Sequence, residues 1–399
     1  MRKRLEILFV LMLFSATAML AQMTTSGING MVTAGGDKAI GATVTAVHEP
    51  SGTTYNTVVN ESGRYSINGM RVGGPYTVKV SYIGYTTSVT KDVTLQLAES
   101  YSLNVKLAED ANELGEVVVS AKATKFTAER TGASTNINLR QLENMPTVSR
   151  SITDFTRLSP YGGNGMSFAG TDGRTANFTV DGANFNNNFG LSDGLPGGGN
   201  PISIDAIEEM QVVISPYDVR QTNFIGGGVN AITKSGTNTF KGTAYIYHQN
   251  ENMRGDAIER EQISGAREKD QKTTYGFTLG GPIIKNKLFF FVSGEMSKTP
   301  TVVNRWRGSV DGVADADNYI SRTTLADLEK VSNFVKDKYG YDTGSWTNFP
   351  ADENNYKLLA RLDWNITNMH HLSFRYNYTK NRNWNPTNAS SMDGGTRSS

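Results

Sequence analysis

Along three stretches in the last third of the chain, hydrophobic and polar residues alternate one for one. Between Thr273 and Ile283 the odd positions are Thr273, Tyr275, Phe277, Leu279, Gly281 and Ile283, against Thr274, Gly276, Thr278, Gly280 and Pro282. Tyr356, Leu358, Ala360, Leu362 and Trp364 oppose Lys357, Leu359, Arg361, Asp363 and Asn365. Leu372, Phe374, Tyr376 and Tyr378 oppose Ser373, Arg375, Asn377 and Thr379. A period of two is that of a strand with unlike faces. Sustained over about ten residues with aromatics on the apolar side, it is the pattern of a membrane-spanning barrel strand. A soluble two-sheet protein alternates as well, but need not keep its aromatics on one set. Five strands are expected, near Phe240–Asn250, Lys272–Ile283, Leu288–Ser297, Asn354–Asn365 and His371–Asn381. Their connections run long, short, long, short: 251–271, 284–287, 298–353 and 366–370. Transmembrane barrels have short turns on the periplasmic side and long loops on the other.

The rest of the chain divides by the same reading. From Ser26 to Ala108, short apolar runs such as Thr43-Val44-Thr45-Ala46-Val47 and Tyr76-Thr77-Val78-Lys79-Val80 are broken by glycine-containing turns, which argues for a β-sandwich. Residues 109–124 form a linker around Leu114-Gly115-Glu116-Val117-Val118-Val119-Ser120, whose three β-branched valines favour an extended backbone. Such a segment between solvated flanks suits a strand added to another sheet's edge; it suits an ordinary edge strand of a neighbouring domain equally. Residues 125–238 mix signals: a short amphipathic piece stopped at Pro146, a helix near Ser151–Leu158, an extended core Thr175–Gly182, and a helical turn at Ile204 running into a strand. In the long loop 298–353, Thr324-Leu325-Ala326-Asp327 reads as a capping box, with a helix to Gly340.

Composition narrows the picture. The chain has 399 residues, 41 of them glycine, 10% aromatics, no cysteine and a formal net charge of +1. Without cysteine there are no disulfides, thiolate zinc sites or cysteine nucleophiles. The charge gives no nucleic-acid footprint. Met1-Arg2-Lys3-Arg4, the apolar Leu5–Phe14 and the small residues up to Ala21 read as an export signal over 1–21, too short and too interrupted by Glu6 for a spanning helix of about 20 residues.

Family resemblance rests on motifs in order. Gly30-Met31-Val32, Gly41-Ala42-Thr43-Val44, Glu61-Ser62-Gly63-Arg64-Tyr65-Ser66-Ile67, Gly74-Pro75-Tyr76-Thr77-Val78 and Ile83-Gly84-Tyr85 resemble the carboxypeptidase regulatory-like domain, which covers 26–108 and has no catalytic residues of its own. Val180-Asp181-Gly182, the run from Ile204 to Val212, and Val229-Asn230-Ala231-Ile232-Thr233-Lys234-Ser235-Gly236 resemble the plug of TonB-dependent outer-membrane receptors. The resemblance implies a mainly β chain: N-terminal β-sandwich in the periplasm, α+β plug over 125–238, and the first five strands of an antiparallel transmembrane β-barrel over 239–399. Five strands cannot close a barrel, and an open edge in lipid leaves backbone groups unpaired. A longer receptor is therefore expected.

By the same resemblance, Glu116, Val117, Val118, Val119 and Ser120 are the TonB-coupling residues. The expected partners are a periplasmic TonB-type energy-transducing protein, outer-membrane lipid and an imported ligand. The Gly-Tyr-Gly continuation that many glycan importers show after the valine run is missing, which argues against a surface lipoprotein lid. A surface adhesin or structural outer-membrane protein is the competing class, and a soluble exported binding protein a third.

Other chemistry is thin, and neither cofactor nor metal is expected. Gly228–Ser235 has Thr233 where a phosphate-binding loop needs glycine. Asp311, Asp315, Asp317 and Asn318 lack calcium-loop spacing. His48 and Glu49 are expected on the surface, and His370-His371 at a tight turn. No nucleophile–base constellation stands out, so no enzyme is expected. Asn184, Phe185, Asn186, Asn187, Asn188 and Phe189 form a loop of amides and aromatics suited either to a ligand or to plain exposure.

Overall fold

The computed structural model describes residues 24–109, 117–120, 133–147, 150–186, 195, 200–215, 221, 224–253, 255, 257–258, 261–262, 271–300, 307–315, 318, 320–344, 352–368, 370–382, 390–392 and 395–397. The export signal, Glu116, Asn187, Asn188, Phe189 and Asp317 lie outside them.

The N-terminal domain is built from β1 (Ser26–Ala34), β2 (Asp37–Lys38), β3 (Thr43–His48), β4 (Thr53–Val58), β5 (Arg64–Met70), β6 (Gly73–Ser81), β7 (Ser88–Leu95), β8 (Ser100–Ser102) and β9 (Val105–Leu107). In one sheet β1 lies between β2 and β5, with β8 and β9 running parallel to it. The other sheet orders β10 (Val117–Ser120), β7, β6, β3 and β4. Alternate residues point into the space between the sheets: Ile28 and Val32 from β1, Val44 and Ala46 from β3, Val78 and Val80 from β6, and Val93 and Leu95 from β7, all essentially buried. That is the expected sandwich. His48 corrects the surface expectation. It follows Val44 and Ala46 on the inward set, is 6% exposed, and packs at a tilt against the Tyr76 ring, 4.9 Å between centroids. Burial, reinforced by the nearby Arg71 charge, pushes its pKa down to about 3, so its ring is neutral.

A second domain orders β11 (Ala133–Asn138), β14 (Ile207–Ser215), β15 (Gly228–Thr233), β12 (Asn177–Val180) and β13 (Ala183–Asn184) in one sheet. β12 and β15 are parallel; the other neighbours are antiparallel. A helix at Leu139–Asn144 begins at the capping box of Asn138 and Gln141 and stops before Pro146. A second, Ile152–Thr156, is capped by Ser151. The core holds Ile137, Ile152, Phe155, Phe168, Phe178, Met210, Val212 and Val229.

Five strands follow, at Lys241–Gln249, Lys272–Ile284, Leu288–Thr299, Glu353–Asn365 and His371–Arg382, each paired with the next in chain order. Their bounds fall within two residues of those read from the alternation. The faces are inverted relative to a soluble sheet. Tyr275, Phe277, Leu279, Leu358, Leu362, Trp364, Leu372, Phe374, Tyr376 and Tyr378 are 40–53% exposed, while Thr274, Thr278, Arg361 and Asp363 are buried. A water-soluble protein hides the first set. Two compact units divide the chain: one runs to Thr243 and adds Phe277–Gly294 and Lys357–Thr379; the other holds Ala244–Gly276, Glu295–Tyr356 and Lys380–Ser399. Within the latter, the helix Leu325–Tyr339 starts on the Thr324 cap, whose side chain accepts from the Asp327 amide, and ends at Gly340 in the left-handed region.

The exposed stripe yields a direct test. Leu362→Arg replaces a side chain 40% open at its surface. In water that change is nearly neutral; near the middle of a bilayer it costs about 2–4 kcal/mol. We expect the variant to lose folded protein in the outer-membrane fraction, and an unchanged yield there would mean the stripe faces water.

A buried ionic node where three elements meet

The site is set up by a two-residue hairpin. Asp181 and Gly182 join β12 to β13 with φ of 49° and 85°, the positive pair that a type I′ turn needs and that Asp-Gly supplies. The turn delivers the Asp181 carboxylate, its side chain 3% exposed, to the end of β15. There Oδ1 accepts the Thr233 amide at 3.0 Å and Oδ2 the Thr233 hydroxyl at 2.6 Å.

Two inward positions of one barrel strand complete the node. Arg361 and Asp363, two residues apart, share the buried face of Glu353–Asn365. Arg361 Nε and Nη2 donate to the two Asp363 oxygens at 2.8 and 3.1 Å, a bidentate pair. Its Nη1 donates to the Thr233 carbonyl and lies 3.9 Å from Asp181 Oδ1. On the next strand Ser373 donates to Asp363 at 2.7 Å, and Arg375 Nε faces Asp181 at 3.3 Å. The sandwich contributes Arg71. Its guanidinium lies 3.8 Å from Asp363, donates to Ser235 at 3.2 Å, and stands 5.8 Å over the Phe289 ring. Nearby, burial raises the Glu208 carboxyl above its ordinary pKa, and the positive charges of Lys234 and Arg361 pull it partly back. Gly236 lets the chain leave β15 against the strand wall, since a Cβ there would stand 2.4 Å from the Phe290 carbonyl.

Two further junctions hold the sandwich. Leu97 donates its amide to Glu209 at 3.0 Å, and its carbonyl accepts from Gln211 at 3.0 Å and Asn136 at 3.3 Å. Val72, Leu97 and Ile232 seal that contact. The loop after β3 is clasped to the short strand turns. His48, Ser51 and Thr53 form a hydrogen-bonded relay, and Asn365 donates to Thr53 at 2.8 Å while meeting His371 at 3.0 Å. Asn238 donates its amide to Pro50 at 2.8 Å and its side chain to Asn286 at 2.7 Å. His371 of the His370-His371 pair thus has a role in this clasp.

Sequence reasoning named other residues. Val117–Ser120 form β10, paired in parallel with β7 in the register Val117↔Ser88, Val118↔Val89, Val119↔Thr90 and Ser120↔Lys91. Asn184 is exposed at the hairpin. Phe185 packs against the second domain's core. Asn186 is occupied locally, donating to the Ala176 carbonyl at 3.2 Å and to Asn177 at 2.7 Å. The node itself was missed. The signal present was charged residues on the barrel's inward set, Arg361, Asp363 and Arg375, which the alternation had already placed there.

Residues 27–108 match the family model of the carboxypeptidase regulatory-like domain, and 232–310 that of an outer membrane β-barrel domain. Across both, the TonB-dependent transporter Oar of Myxococcus xanthus is 25% identical over 347 residues, covering 81% of this chain. The chain is thus similar to a TonB-dependent transporter along most of its length. It spans 30% of the length of that curated relative. Among solved structures, the siderophore receptor PirA of Acinetobacter baumannii is 19% identical with a TM-score of 0.39, covering 62% of this chain and 31% of its own. The transporter YddB of Escherichia coli is 12% identical at 0.42, covering 62% and 33%. The match to an outer membrane β-barrel domain indicates the outer membrane, and the inverted strand faces fit that location.

The node predicts strong non-additivity. Removing one partner of a buried pair strands a charge, at about 3–5 kcal/mol; replacing both by apolar groups is close to neutral. Arg361→Met should destabilise the folded receptor by that amount in chemical unfolding, and Arg361→Met with Asp363→Leu by less than either change alone. Additive losses would mean that the pair is not coupled.

Proposed function

We propose that the receptor imports a ligand into the periplasm, driven by a TonB-type protein, with the second domain as the plug. The observation that carries this is the node. Asp181 and Thr233 of the second domain are tied to Arg361, Asp363 and Arg375 on the inward face of the strands, so the domain is held by polar contacts. Such contacts suit reversible release. Dry, the bidentate pair is costly to break; wetted, an ion pair is worth about 0–1 kcal/mol. A pull that lets water in converts a firm latch into a weak one.

In this reading the exposed aromatic and leucine stripe meets lipid, and the sandwich sits on the periplasmic side, where its clasp on the short turns agrees with barrel topology. The loop from Asn184 to Phe189 contributes to the ligand contact, with Asn184 its exposed described member. The receptor works as a transporter, without catalysis of its own.

Glu116, Val117, Val118, Val119 and Ser120 are the handle. A strand-adding partner binds main-chain groups, so the missing N–H of proline matters more than a shortened side chain. Binding of the periplasmic domain of a TonB-type protein should fall at least tenfold in Val118→Pro and stay within about threefold in Val118→Ala, read by titration. Full binding by Val118→Pro would remove this segment from the coupling path.

A further inference from the structure

We propose that the sandwich and the second domain move as one body, which parts from the strands at Arg71, Pro50 and Thr53. This rests on the reading of the second domain as the plug.

The sandwich has two junctions of unlike chemistry. Against the second domain it offers main chain. The Leu97 amide donates to Glu209 at 3.0 Å, and its carbonyl accepts from Gln211 at 3.0 Å and Asn136 at 3.3 Å. Asn136 and Gln211 are register partners on β11 and β14, so two strands of one sheet grip a single carbonyl. Val72, Leu97 and Ile232 close over these bonds at 9%, 0% and 6% exposure. Parting here wets three apolar side chains and takes the Leu97 donor from Glu209, a residue 3% exposed.

Against the strands the sandwich offers side chains and one carbonyl. Asn365 donates to Thr53 at 2.8 Å, the Pro50 carbonyl accepts the Asn238 amide at 2.8 Å, and the Tyr55 and His371 rings meet at 5.4 Å. Asn238 belongs with the strand turn: its side chain accepts the Asn286 amide at 2.8 Å and donates to the Asn286 side chain at 2.7 Å. Among the described residues, no cluster of buried apolar side chains joins the sandwich to the strands. The remaining link is Arg71, 3.8 Å from Asp363. Its departure strands no charge in the wall, because Asp363 keeps the bidentate Arg361 and the Ser373 hydroxyl. Arg71 meanwhile carries its bond to Ser235 along. Polar side-chain contacts exchange for water at little net loss, and an apolar seal does not. The strand junction is therefore the one that opens.

Hydrogen exchange reads each junction through one amide, Leu97 for the second domain and Asn238 for the strands. In the full chain, corrected for intrinsic rates, Asn238 should exchange at least tenfold faster than Leu97. Thr53→Val on the sandwich side, or Asn365→Ala on the strand side, should speed Asn238 at least fivefold further and leave Leu97 within twofold. A smaller gap between the two amides, the reverse order, or a variant that speeds both alike overturns the shared body. Traction separates this from the plug reading. The chain has no cysteine, so Thr53→Cys and Asn365→Cys can be joined unambiguously by an ethane-bridged bis-methanethiosulfonate. Pulled from Ser120 in a bilayer, the second domain should need at least twice the force after bridging and the original force after reduction. A second domain that leaves at unchanged force despite the bridge overturns the shared motion and keeps the plug. One that never leaves before the strands do overturns the plug itself.

Discussion

The sandwich, the second domain and the inward face of the strands converge on the pairing of Arg361 with Asp363 and Asp181. Two unlike demands meet there. A barrel wall that presents leucines and aromatics outward must turn its polar residues inward, and inward charges need partners. The hairpin at Asp181–Gly182 and the end of β15 supply them. The same burial that makes a lone charge so costly gives the assembled node its hold. Position along the strand therefore decides more than residue type, because Arg361 one residue to either side would face outward.

The node also shows why the sandwich is more than an appended module. Arg71 places a second positive group beside Asp363, and Leu97 and the loop after β3 fix the sandwich to the second domain and to the short strand turns.

Much of the fold was legible because strands with unlike faces leave a strict period. The five barrel strands, the helix between Thr324 and Gly340, and the turn at Ile204 leading into a strand follow from alternation and capping chemistry alone. The inverted exposure settled what alternation could not, namely which face meets the surroundings. His48 was misplaced because its chemistry was read without its strand parity; two residues after Ala46 it had to point inward. The node was hidden for a different reason. Asp181, Thr233 and Arg361 are far apart in sequence, and only the register of β12 on β15 and the passage of the chain into the strands bring them together. For Phe185 and Asn186 composition left a ligand-contacting loop and plain exposure both open, and it did not foretell that Phe185 packs on the domain core or that Asn186 donates to Ala176 and Asn177. Local sequence records what a residue can do, and not which neighbour the topology will hand it.

Pulling on a handle fixed at β10, with the receptor held in a bilayer, tests the central claim most directly. The second domain should yield before the barrel strands do, at a force that drops when Arg361 is replaced by methionine. A domain that holds until the strands are torn out, or a rupture force indifferent to Arg361, would contradict the role given to the node.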